Sequence, residues 1–510
     1  MAAETRSRAP WARAAAARIS SEAGRRALVL ALAGLCFGKA QVAAIRELGS
    51  LLYGEEVVLW LISSVALAGA ALGYRLGGAL SRAALGRLLI AGVLVQFASP
   101  ALVRLAVAGL CALRGGTGPE LLGVAVLAAA AASLPFCALL PAYLDGDAAA
   151  DRVAALRVAY TAELIGFAAG SGAGLALGAS PTLSFAVHAL ALVALLGLAL
   201  PLRRVALLGL ALAAAAILTH QPLGTWSLEQ VYIHKHRLPG ARVRWSVDSS
   251  YQRVEVVDAP GRGRMLYLDG LRDLDSRSLA TLNHYLARVP ARLLPHGEAL
   301  LLGNGTLSLV PELAARSRAV TTVEIDPAVV DAGARFFTPG APLDRLGHWR
   351  LRIADGKAFL AGSERRFDLI VVDLPSPLTL GEAYLHTEEF YRLCRARLRP
   401  GGALAVQLSG DLGSPRRTPA RVVAGLRRAF PEVIVVESAL ADRSFAYAGD
   451  ALPFGADELR ASAAPGEREL RIFEGAALAG RVEGAAPLAL DDLDLVLRRG
   501  LERLADRHGL

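Results

Sequence analysis

Apolar residues fill seven long segments in the first 220 positions, at about 27–49, 55–79, 85–111, 119–143, 153–178, 181–201 and 204–219. A bilayer-crossing helix takes about 20 consecutive apolar residues, so six of these qualify and the last is marginal. From residue 228 the pattern changes to short runs broken by Pro-Gly and Pro-Gly-Arg-Gly turns. Strands are expected at Glu229–His236, Arg242–Ser249, Gln252–Asp258 and Met265–Asp269, a small antiparallel sheet that would form a lid or rim. From Pro290 strands near 298–303, 320–325, 350–353, 367–373, 402–408 and 432–437 alternate with helices near 308–316, 327–336, 387–398 and 418–429. Such alternation predicts a doubly wound α/β, Rossmann-like domain. After Asp450 it lapses, and Leu488–Asp506 reads as a final helix.

These patterns divide the chain into a basic flank (1–26), a helical membrane domain (27–220), a β-sheet lid (228–289), a nucleoside-binding catalytic domain (290–450) and a C-terminal extension (451–510). Residues 221–227 read as a polar exit from the bilayer. Two glycine ladders, Gly69/Gly73/Gly77 and Gly166/Gly170/Gly174/Gly178, repeat at a spacing of four, which suits close helix packing within the chain or a homodimer. Lys39 and Glu163 fall deep in apolar segments, where charge is costly; they suggest an ion pair or a polar substrate path.

Composition sharpens this picture. Hydrophobic residues make up 54% of the chain, concentrated before residue 220, and the mean hydropathy is +0.42. The formal charge of +9 suggests nucleic acid, yet no basic stripe carries interleaved aromatics. Arg6, Arg8, Arg13, Arg18, Arg25 and Arg26 precede the first apolar segment and fit a cytoplasmic flank instead. The expected partner is thus a lipid bilayer and the location the inner cell membrane; seven crossings from a cytoplasmic flank would put the catalytic domain outside, so the cytoplasmic side expected for it takes 204–219 as re-entrant or interfacial, or the first segment as misplaced. Cys36, Cys111, Cys137 and Cys394 form neither a CxxC motif nor a disulfide framework, and no cluster has metal-ligand spacing.

The candidate chemistry sits at strand ends. In an open α/β sheet ligands bind outside the carboxyl ends of the strands, at the point where the strand order reverses. Gly303 and Gly305 close the first strand in a Gly-x-Gly turn, which lets backbone approach a cofactor. Glu324, 21 residues after Gly303, ends the second and suits ribose hydroxyls. Asp355-Gly356 ends the third, where a carboxylate can accept from an adenine amino group; Asp373 ends the fourth. Ser308 stands where the third glycine of the dinucleotide fingerprint would fall, which counts against NAD.

Together with Ser250-Tyr251-Gln252, Leu268-Asp269-Gly270, Val323-Glu324-Ile325-Asp326, Asp373 with Pro377, Thr387-Glu388-Glu389-Phe390-Tyr391 and Pro400-Gly401-Gly402 leading to Gln407, this pattern resembles the spermidine synthase family, in particular its membrane-fused bacterial members. The resemblance implies a decarboxylated S-adenosylmethionine co-substrate and a small amine or polyamine acceptor, with no metal. It assigns the ribose to Glu324, the adenine to Asp355, the attacking amine to Asp373, and the acceptor side to Tyr251, Gln252 and Ser376. Departures from the family are also visible. Its Gly-Gly-Gly-Asp-Gly is here Gly303-Asn304-Gly305-Thr306-Leu307, so Thr306 replaces the aspartate that meets the donor's ammonium. Ser376 replaces a second aspartate, and Ser278–His284 carries none of the family's acidic acceptor segment. Three readings follow: aminopropyl transfer in polyamine synthesis, methyl or alkyl transfer from S-adenosylmethionine itself, and a non-catalytic nucleoside or polyamine sensor coupled to a transport-like membrane domain.

Overall fold

In the computed structural model the apolar segments fold as long helices: Glu22–Leu51, Glu56–Gly77, Arg82–Arg114, Glu120–Cys137 continued by Leu139–Leu144, Ala149–Ala176, Pro181–Ala199 and Arg203–His234. The structure describes residues 22–53, 56–144, 149–200, 202–295, 297–338, 343–375, 377, 379–408, 410–413, 418–441, 443–491 and 501. Among these, seven helices are long and apolar enough to cross a membrane. Most of the basic flank and of the expected Leu488–Asp506 helix, and Ser376, lie outside the described residues. Two compact units form, residues 1–52 with 58–239, and residues 53–57 with 240–510.

In the helical unit the glycine ladders serve packing within the chain. A Cβ on Gly166 or Gly170 would lie 1.9 and 2.1 Å from the carbonyl oxygens of Ala31 and Leu35. Gly69, Gly73 and Gly77 abut the helix turns at Ala130, Leu134 and Ala138 in the same way. The expected Lys39–Glu163 pair is not made. Lys39 Nζ donates to Ser184 Oγ (2.6 Å), whereas Glu163 accepts from Tyr74 Oη (3.1 Å). The buried ion pair falls elsewhere, as a two-pronged contact from Arg104 to Glu47 (2.6 and 2.8 Å).

The expected strand at Glu229–His236 is helical as far as His234, as are residues 221–227, in the continuous helix Arg203–His234. In its last two turns Leu228, Val231 and Tyr232 are buried, at i, i+3 and i+4, a spacing that outweighs the strand preference of Val and Ile.

The second unit opens with a four-stranded antiparallel meander, β1 (Arg242–Asp248), β2 (Arg253–Ala259), β3 (Gly263–Leu268) and β4 (Leu271–Asp275). Leu268-Asp269-Gly270 makes the tight β3–β4 turn, with Asp269 and Gly270 both at positive φ. An eight-stranded mixed sheet follows: β5 (Glu298–Gly303), β6 (Ala319–Glu324), β7 (Trp349–Ile353), β8 (Phe367–Asp373), β9 (Leu398–Leu408), β10 (Glu432–Ser438), β11 (Arg443–Gly449) and β12 (Leu470–Phe473), in the order β12-β10-β11-β9-β8-β5-β6-β7. Strands β5 to β9 pair in parallel, and β10 to β12 extend the sheet antiparallel. Alternate residues feed two cores. Ala299 and Leu301 pack on one face with Val310 and Val320, while Leu300 and Leu302 pack on the other with Ile370 and Phe390. The chain steps from β5 to β6 and β7, then returns to place β8 on the other side of β5. The strand order therefore reverses between β5 and β8, where the register pairs Gly303 with Asp373.

Candidate active site

Four adjacent strands, β8, β5, β6 and β7, bring Asp373, Gly303, Glu324 and the Asp355 turn to one edge of the sheet. With strands about 4.8 Å apart, three spacings cover about 14 Å, the scale of a nucleoside with a short tail. Ala354 N donates to Glu324 O (3.0 Å), which ties the β7 end to the β6 end.

The β5 turn is built by backbone geometry and neutral side chains. Gly303 has φ +78°, and a Cβ there would lie 2.2 Å from Asp373 O. Gly305 is equally restricted, since a Cβ would come within 2.5 Å of Val329. Asn304, at φ +58°, organises the turn: its Nδ2 donates to Asp373 Oδ2 (2.8 Å), and its Oδ1 accepts from Leu309 N (3.0 Å). Thr306, 4% exposed, joins Asn304 and Ser308 at 3.3 Å, and Ser308 donates to Asn283 Oδ1 (3.1 Å). Gly333 packs below, where a Cβ would be 2.4 Å from Thr306 Cα.

Two of the strand-end carboxylates are electrostatically strained. Burial pushes Asp373 up to about 6, with a further push from the negative charge of Asp273. Burial also drives Glu324 to about 7, against the hydrogen bond its Oε1 accepts from Asp326 N (2.9 Å). Asp355 is exposed; its Oδ1 accepts from Ala358 N (2.6 Å) and caps the helix Gly356–Gly362 that Gly356 begins.

The small sheet is latched onto β6 by Asp326, which is fully buried. Ser249 Oγ donates to Asp326 Oδ2 at 2.7 Å and Gln252 Nε2 at 3.2 Å. The Gln252 amide is thus spent on holding the lid, while the neighbouring Tyr251 is 56% exposed.

Three groups escaped sequence reasoning. Asp273 lies on β4, a strand too short and too charged to announce itself. Arg443 opens β11, where small Ala and Ser residues hide the alternation; Phe445 and Tyr447, two apart, were the available signal. Arg443 bonds the Gln407 side chain and, through Nη2, the carbonyl of Asp273 (2.7 Å). His386 is buried, and its ring nitrogens lie 3.1 Å from Tyr391 Oη and 2.8 Å from Pro375 O. Pro375 O can only accept, so Nε2 carries the proton, and burial lowers the imidazole to about 4, which keeps it neutral. The Thr387–Tyr391 segment therefore holds the loop after Asp373.

Residues 281–418 match the spermine/spermidine synthase domain. The C-terminal part of the chain carries a spermine/spermidine synthase domain. Its relatives are transferases. Polyamine aminopropyltransferase from Thermoplasma acidophilum is 29% identical over 196 residues, 37% of this chain and 70% of that protein. Polyamine aminopropyltransferase 1 from Pseudomonas aeruginosa is 33% identical over 168 residues, 32% of this chain and 57% of that protein. Among solved structures, spermidine synthase from Thermotoga maritima aligns with a TM-score of 0.39 at 20% identity, covering 51% of this chain and 88% of that one. The spermine/spermidine synthase domain includes Gly303, Gly305, Thr306, Glu324, Asp355, Gly356 and Asp373; Tyr251 and Gln252 precede the matched stretch.

Proposed function

We propose that the spermine/spermidine synthase domain transfers an aminopropyl group from decarboxylated S-adenosylmethionine to an amine acceptor. The observation that carries this reading is Asp373, half-buried at the switch point, with one oxygen held by Asn304 and the other without a hydrogen bond among the described residues. The residues fit such a nucleoside: a side chain at 305 would crowd Val329 and lie 3.2 Å from Glu324 Oε2, so glycine keeps the ribose carboxylate accessible. Glu324 receives the ribose hydroxyls, Asp355 the adenine amino group, and the backbone at Gly303, Gly305, Thr306 and Gly356 lines the nucleoside. Tyr251, exposed on the loop that Gln252 latches to Asp326, is assigned to the acceptor side, and the family resemblance adds Ser376.

When bound, the donor supplies a carbon activated by an adjacent sulfonium. Asp373 orients the neutral amine on that carbon; as the N–C bond forms and the S–C bond breaks, a thioether nucleoside leaves and the amine's surplus proton passes to Asp373 or solvent. A carboxyl poised near 6 suits this work close to neutrality. Most of the catalysis comes from positioning, which needs no further acid or base.

The neutral Asn304–Thr306–Ser308 turn favours a second reading, methyl or alkyl transfer from S-adenosylmethionine itself, because no carboxylate on that turn opposes a carboxylated donor. Attachment to the inner cell membrane, supported by the seven apolar helices and the basic N-terminal flank, completes the proposal; a cytoplasmic catalytic unit requires an even number of crossings from that flank, with the marginal 204–219 segment re-entrant or interfacial.

Incubating the full chain in detergent with each donor and a diamine, and separating the products by chromatography, distinguishes these readings. Methylthioadenosine in equal amount with an aminopropylated amine is expected. A methylated amine formed from S-adenosylmethionine would select the second reading, and no product from either donor would overturn both.

A further inference from the structure

Asp273 lies in the meander and belongs to none of the motifs read above. Arg443 Nη2 grips its backbone carbonyl at 2.7 Å, and the other arm of the guanidinium bonds Gln407 Oε1. Gln407 Nε2 donates in turn to Leu374 O (3.4 Å), the residue after Asp373. A relay of hydrogen bonds thus fixes position 273 on the rim strand against the end of β8. Its carboxylate accepts no hydrogen bond from the described residues. The relay sets residue 273 against Leu374, next to Asp373 at the reaction end of the crevice, and its negative charge adds to the burial that holds the Asp373 carboxyl above its ordinary value. The intervening turn offers no competing anion, since Asn304, Thr306, Ser308 and Asn283 are neutral and bonded to one another.

We propose that Asp273 receives the primary ammonium of the donor's aminopropyl arm and so sets the preference for the decarboxylated over the carboxylated nucleoside. The inference rests on the nucleoside site proposed above. A carboxylate in this place gains a charge-assisted hydrogen bond from the ammonium. The same carboxylate would face a like charge if the donor kept its own carboxyl group. Desolvation strengthens both effects, because fewer water dipoles screen them. Asp273 then does from the rim strand what the turn at Thr306 has no charge to do, and Arg443 acts as its positioning residue through the backbone.

Calorimetric titration of the full chain in detergent with each nucleoside, for the native protein and Asp273→Asn, tests this. The native protein is expected to bind the decarboxylated form at least about tenfold more tightly, and Asp273→Asn to reduce that ratio by about tenfold or more, the range of one charge-assisted hydrogen bond. Asp273→Glu should recover part of it. Arg443 holds the carbonyl of residue 273, so these side-chain changes leave the relay in place, and a thermal melt of each variant checks this; Asp273→Ser serves if the Asn variant does not fold. A folded variant with an unchanged ratio overturns the role of Asp273, including the case in which only the KM for the amine rises. Failure of the native protein to bind either nucleoside overturns the nucleoside site itself.

Discussion

Asp373 and Glu324 hold their protons more tightly in the folded protein than in the unfolded chain. For Asp373, raised from 3.8 to about 6, the folded state binds the extra proton between those values, so its contribution to stability falls as pH rises through that window and stays low above it. Asp373→Asn removes the half-buried charge. It is expected to be more stable than the native protein at pH 8, by on the order of 2 kcal/mol, with the difference vanishing near pH 4. Thermal melts at the two pH values check this, and equal melting temperatures at pH 8 would show that Asp373 is not strained. Activity runs the opposite way, because ionised carboxylates do the binding. The kcat/KM for the amine is expected to fall by up to about tenfold per pH unit between about 7 and 6, where Glu324 protonates, and more steeply below about 6, where Asp373 does too. A flat profile down to pH 5 would remove both from their roles. The strand-end positions of Glu324 and Asp373 were legible in the sequence because each closes an apolar run, and that of Asp355 because an Asp-Gly turn follows β7. Asp273 was not, since its importance comes from a strand pairing and a distant arginine.

At the scale of elements, the sheet is where sequence reading was strongest. The strands β5, β8 and β10 carry Leu, Val and Ile runs buried on both faces, and their ends were placed almost to the residue, whereas β7 alternates Arg with apolar residues and β9 begins at Leu398, four residues before its expected start. Reading failed where two signals competed. The stretch 229–236 offered β-branched and aromatic residues, but the helix already running from Arg203 needed only a continued apolar stripe to go on. Gly333 is an element-level constraint with no local signal, as it matters through a contact with the β5 turn. Gly333→Ala would push a methyl group against Thr306 Cα and Gly305 O, at 2.4 and 2.6 Å, both backbone atoms that cannot rotate away. A loss of about 1–3 kcal/mol and weaker nucleoside binding are expected from denaturation and calorimetry. An unperturbed variant would mean that the turn can shift freely.

At the scale of the whole molecule, the chain joins a helical unit with a buried Arg104–Glu47 ion pair and glycine contacts to a unit bearing a spermine/spermidine synthase domain. Helix lengths and apolar composition were plain in the sequence, whereas the side of the membrane depends on the parity of spans, which composition constrains weakly. A C-terminal fusion reports that side: a fluorescent protein fused to Leu510 is expected to fluoresce and alkaline phosphatase to be inactive, and the reverse would put the catalytic unit outside. The central claim is group transfer at Asp373. Its most direct test supplies the full chain with decarboxylated S-adenosylmethionine labelled in the aminopropyl carbons and follows the label into the amine by mass spectrometry. Label is expected in the product for the native protein, with the rate reduced about a hundredfold or more in Asp373→Asn while nucleoside binding persists. Label that never leaves the nucleoside, or that transfers equally well in the variant, would contradict it.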